Sequence, residues 1–99
     1  MNKVIMQLWE ESERGWGVRP DGCSLHLSVT DRKDFIDKIY KSRQDMNNVP
    51  DEYDRVSGDE MEVFVEDSLF ELIKVKGTVR LLENELNNLI NLEELTIKI

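Results

Sequence analysis

The sequence predicts a small α+β domain. It is expected to hold one mostly antiparallel sheet of about four strands, in chain order β-β-α-β-α-α-β, with the helices packed on one face. Three observations carry that expectation. Apolar residues recur at period two over 23–29 and 61–66, the repeat of a half-buried strand. They recur at three- and four-residue spacing over 31–43 and from 69 to 90, the repeat of a helix with one buried face. The chain has 99 residues, 39% hydrophobic and 34% charged, which suits one domain over 1–99 with a modest core.

The first strand is expected over 3–9. Val4, Met6 and Leu8 alternate with Ile5, Gln7 and Trp9, a pattern for a strand covered on most of both faces. The charged run Glu10–Arg14 then leads into a loop, Gly15-Trp16-Gly17, and a turn at Pro20-Asp21-Gly22, where proline presets φ and glycine accepts a left-handed angle. Cys23, Leu25, Leu27 and Val29 alternate with Ser24, His26 and Ser28, so the second strand pairs with the first as a long-looped hairpin.

Thr30 is the expected N-cap of a helix over 31–43, whose apolar stripe is Phe35, Ile36, Ile39 and Tyr40. A polar connection of about seventeen residues, 44–60, follows. Met61, Val63 and Val65 mark the third strand. Asp67 or Ser68 caps a short helix, Glu71 completes a capping box, and Lys76-Gly77 ends it. From Thr78 the spacing of Val79, Leu82, Leu86, Leu89 and Ile90 reads as helical, with a short strand at 79–82 as the competing reading. The β-branched alternation of 95–99 gives a last strand.

Several motifs together resemble a known group. Leu8-Trp9-Glu10-Glu11-Ser12, Gly15-Trp16-Gly17, Arg19-Pro20-Asp21-Gly22, Ser24-Leu25-His26-Leu27 and Pro50-Asp51-Glu52-Tyr53 are similar to those of short, mostly uncharacterised proteins of bacteria, phages and mobile elements. The resemblance spans roughly 6–66 and brings no activity with it. It implies, by analogy of origin and size, a binder of a host factor.

Charge and composition exclude more than they assign. Residues 1–49 hold 8 basic and 8 acidic side chains, whereas 50–99 hold 5 basic and 13 acidic, so the whole net charge of −8 lies in the second half. Such a chain is not expected to bind nucleic acid directly. No apolar run reaches membrane-spanning length, and the N-terminus lacks a secretory apolar core, so a cytoplasmic location in a bacterial host cell is expected. The single cysteine fits a reducing compartment.

No catalytic motif stands out. Cys23 and His26, three apart on one strand, point to opposite faces and cannot form a dyad. Ser24 shares a face with His26, but strand neighbours two apart sit about 7 Å from each other, beyond hydrogen-bond reach. Zinc, EF-hand and phosphate-loop spacings are all missing, so neither an enzyme nor a cofactor is expected.

Two binding constellations remain. The first is an acidic surface at Asp51, Glu52, Asp54, Asp59 and Glu60, suited to a host protein with a basic surface, which it would inhibit; a plain solubilising role is the other reading. The second is the aromatic and basic group Trp9, Arg14, Trp16, Arg19 and His26, suited to sequestering a nucleotide-like small molecule. A chain this small offers only a shallow pocket, so the second reading favours a homo-oligomer.

Overall fold

The computed structural model describes residues 1–13, 15, 17–44, 52–91 and 93–97, with the backbone alone at 43, 44, 52 and 53. The elements are β1 (Asn2–Glu13), β2 (Gly17–His26), α1 (Val29–Gln44), β3 (Glu52–Val56), β4 (Met61–Val65), α2 (Asp67–Lys76), β5 (Thr78–Leu81), α3 (Glu83–Leu89), β6 (Ile90–Asn91) and β7 (Thr96–Ile97). The α+β class stands, but among the described residues the sheet has seven strands where about four were expected. Its order is β5-β2-β1-β4-β7-β6, with β3 alongside β1 as well. All pairings are antiparallel except β4 with β7.

β1 is the hub. One edge pairs with β2; the other is shared, Asn2–Met6 with β4 and Trp9–Glu13 with β3. The acidic run at 10–13, expected to leave the strand, therefore stays in it. Cross-strand cations make this possible: Arg55 on β3 pairs with Glu10, and Arg19 on β2 reaches Glu11 and Glu13 at 3.1 and 2.9 Å. β3 lies inside the expected 44–60 connection, where it pairs with the outer half of β1.

The expected turn at Pro20–Gly22 is part of β2 and forms a bulge. Leu8 pairs with Cys23 and Glu10 with Pro20, so Trp9 alone faces two residues, Asp21 and Gly22. Gly22 has φ 70°, and a Cβ there would lie 1.9 Å from the Leu81 carbonyl oxygen on β5. Only glycine allows both the backbone angle and that approach.

The helices occupy both faces, not one. Val4, Met6, Cys23, Leu25, Val63, Val65, Val79, Leu81 and Ile97 point to the face covered by α2, through Leu69 and Ile73, and by α3, through Leu86. Ile5, Gln7, Trp9, Ser24 and His26 point to the other, where the Phe35 ring of α1 meets Trp9 and His26. A strand apolar on one face and half-polar on the other calls for two different covers, and the chain supplies them.

Helix ends also depart from expectation. Ser28, not Thr30, caps α1, its hydroxyl accepting the Asp31 N–H at 3.1 Å. The N-cap of α2 is Glu66, not Asp67 or Ser68, and it makes no side-chain cap hydrogen bond; Asp67, in the first turn, accepts one from the Asn2 side chain at 2.7 Å. Its end at Gly77 is as expected, with φ 82° and the glycine N–H donating to Ile73 O. The strand reading of the 79–82 stretch prevails: β5 completes the sheet beside β2 and only then does α3 begin. The last strand is short, and Lys98 and Ile99 lie outside the described residues.

Candidate functional site

Under α1 lies a closed polar chain. The Trp9 indole N–H donates to Ser24 Oγ at 2.8 Å, Ser24 Oγ lies 2.7 Å from His26 Nε2, and His26 Nδ1 lies 3.1 Å from Thr78 Oγ1. A proton on Nδ1 satisfies this chain, with the serine hydroxyl donating to Nε2. The Ser24–His26 contact overturns the expectation that these groups are too far apart. Their Cα atoms are two strand residues apart, yet the imidazole is long enough for its far nitrogen to span the gap.

Ser24 and His26 are both fully buried. Burial, and after it the Arg32 guanidinium, lowers the His26 pKa to about 4, so the ring is neutral at pH 7. A serine beside a neutral histidine is a nucleophile–base pair in chemistry, but here the serine oxygen also accepts the Trp9 N–H and has no open approach. Gln7, equally buried, takes a hydrogen bond from Arg32 Nε at 2.8 Å and donates to the carbonyls of Leu8 and Gly58. Cys23 is on the opposite face from His26, as expected, and burial pushes its thiol up to about 12, leaving it inert.

Among the described residues, Trp9, Arg19 and His26 do not come together as one site. Trp9 has Phe35 edge-on at 6.0 Å and the Arg80 guanidinium 5.1 Å from its ring centroid, and is only 1% exposed, so it offers no face for a base to stack on. His26 belongs to the sealed chain. Arg19 lies out on the hairpin with Glu11 and Glu13. Arg14 and Trp16 lie outside the described residues.

Asp54, Asp59 and Glu60, the described side chains of the acidic group, point to different surroundings. Asp51 lies outside the described residues, and Glu52 is described by its backbone, paired opposite Glu13. Glu60 pairs with Arg32 at 3.4 Å, and Asp59 is exposed. Asp54 turns toward Asp21 and Glu11, where carboxylate oxygens from three strands lie within 4.8 Å of one another. Burial first, then the hydrogen bond with Asp21, raises Asp54 to about 6. Such oxygens are a donor set that a hard cation can use. Arg80 supplies positive charge there, 3.5 Å from Asp21 and 4.0 Å from Asp54.

On the other face a cavity of about 390 Å³ opens between the outer hairpin, α3 and the start of β4. Met6, Leu8, Met61, Leu86 and Ile90 form its apolar interior, and Val18 and Pro20 its hairpin wall. α3 is seven residues long and buries only Leu86, too little side chain to fill the space beneath the bent hairpin. Glu10, Arg19, Glu83 and Asn87 supply polar groups around it. Glu83 ties α3 to the bulge, its Oε2 accepting the Gly22 N–H at 2.7 Å.

No family model, curated protein or solved structure matches this chain. The site therefore rests on its geometry. Of the residues that line the cavity, which include Trp9 at its border, sequence reasoning named Trp9 and Arg19 but missed Met61, Glu83 and Leu86. The helical period flagged Leu86 as apolar; nothing local showed that it faces the hairpin.

Proposed function

We propose that the protein is a non-enzymatic binding module whose ligand occupies the cavity between the β1–β2 hairpin and α3. The observation that carries this reading is the cavity itself, about 390 Å³, apolar inside and polar at its edges, within the range of small-molecule sites. One chain encloses it, so a second copy is not needed to build the seat. Among described residues, the groups best suited to catalysis, Ser24 and His26, are sealed beneath α1. With Trp9 held between Phe35 and Arg80, the ligand is read as an apolar molecule rather than a stacked nucleotide.

The methionine methyls report on this seat directly. Titration with a neutral apolar alcohol, 4-phenylbutanol, is expected to shift the Met6 and Met61 methyl resonances, while exposed Met1 stays still. Val18→Trp, a change at a half-exposed wall position, is expected to block those shifts without unfolding the chain. Unmoved Met61 under excess of this alcohol and of its amine and carboxylate analogues sinks the proposal.

A second reading keeps the acidic surface as a seat for a basic host protein. It is favoured by the exposure of Asp59, Asp67, Glu71, Glu85, Glu93 and Glu94, acids contributed by four separate stretches of the second half of the chain. Complex formation would then weaken steeply with added salt.

A further inference from the structure

The charged groups around the cavity are not equivalent. Glu10 is paired with Arg55 of β3, and Arg19 with Glu11 and Glu13. Glu83 accepts the Gly22 N–H on one oxygen and the Asn87 side-chain amide, at 3.4 Å, on the other. Among the described residues no basic side chain forms an ion pair with it. Glu83 is thus a half-buried carboxylate at the edge of an apolar cavity, held by two neutral donors.

Resting on the cavity reading above, we propose that the ligand is a hydrophobic cation: a small molecule with an apolar body seated among Met6, Leu8, Met61, Leu86 and Ile90 and one ammonium group set against Glu83. The size and apolar interior of the cavity call for the body. The carboxylate calls for the positive end, and the chain's net charge of −8 attracts cations and repels anions on approach. An ammonium placed here gains a charge-assisted hydrogen bond in a site partly shielded from water, where such bonds exceed neutral ones in strength. The Gly22 N–H holds Glu83 in place, so the carboxylate is oriented before a ligand arrives.

Three probes of matched shape test this on the full chain at low salt: 4-phenylbutylamine, 4-phenylbutanol and 4-phenylbutyrate, each followed by methionine methyl NMR. The amine is expected to bind tightest, on the order of ten-fold better than the alcohol, with the carboxylate weakest. Glu83→Gln, which can still accept the Gly22 N–H, is expected to erase the amine's advantage over the alcohol. Asn87→Asp, at an exposed position beside Glu83, is expected to widen that advantage, and it serves as the test if the Glu83 variant does not fold. Alcohol binding with no preference for the amine, or a preference that neither variant changes, overturns the hydrophobic cation and leaves the cavity reading in place. Binding of none of the three overturns both.

Discussion

The two faces of the sheet are built from alternate residues of the same strands, yet they are held by different forces. On the α2 and α3 face, Met6, Leu25, Val63 and Ile73 exclude water and need only fit one another. On the α1 face, Gln7, Ser24 and His26 are as deeply buried, but each is held by directed hydrogen bonds. The comparison teaches where function can reside. The polar face holds the reactive side chains but is closed, every one of those groups being committed to a neighbour. The apolar face carries no reactive group but leaves a cavity, because a seven-residue helix cannot cover the whole of it.

The largest expected effect breaks the apolar side. Ile73→Ala removes a fully buried side chain beneath α2 and is expected to lower stability by about 2–5 kcal/mol in chemical denaturation. A smaller loss is expected on the polar side. Ser24→Ala strands the Trp9 N–H and the His26 ring at once and is expected to cost about 1–3 kcal/mol. If the two losses prove equal, the division of forces between the faces does not hold.

pH separates the polar face into its two parts. His26 has its folded pKa lowered, so its contribution is present above about 6.5 and is lost as pH falls through about 4. Asp54 has its folded pKa raised, so its contribution is complete below about 4 and is lost as pH rises through about 6. The two slopes oppose each other between pH 4 and 6.5. Asp54→Asn is therefore expected to leave the His26 slope alone, with stability rising more steeply with pH than in the unaltered chain. Because Asp54 is partly open to solvent, the change amounts to about 1 kcal/mol or less. Denaturation midpoints taken at half-unit pH steps read the sign. A D54N profile parallel to that of the unaltered chain would remove Asp54 from the account.

The smallest effect lies on neither face's interior. Lys3 and Glu62 form a pair at 3.7 Å with both side chains more than half exposed. Lys3→Ala is expected to change stability by less than about 0.5 kcal/mol, and added salt should remove even that.

Local chemistry was enough to read the α+β class, the strands at 61–65 and 23–26, the left-handed angle of Gly22, the helix end at Gly77, the body of α1, and the opposed directions of Cys23 and His26. Each depends on side-chain period or on the φ preference of one residue, and these act within a few positions. β3 was hidden because Glu52–Val56 becomes a strand only when the outer half of β1 offers it a partner, about 40 residues earlier in the chain. The same holds for β5, whose four residues fit a helical spacing until β2 pairs with them.

The candidate site was less legible than the fold. Trp9 and Arg19 were visible as residue types suited to binding, but a tryptophan's availability is set by whatever packs on its ring. Phe35 and Arg80 come from distant elements. Ser24 and His26 were assigned to the polar side of their strand, but alternation tells which face a side chain takes, not what covers that face. The sequence by itself determined which residues prefer water, which repeat as strand or helix, and where the backbone turns left-handed. Only the tertiary structure decided which polar groups were sealed and which carboxylate was left beside a cavity, because burial and pairing depend on segments far apart in the chain.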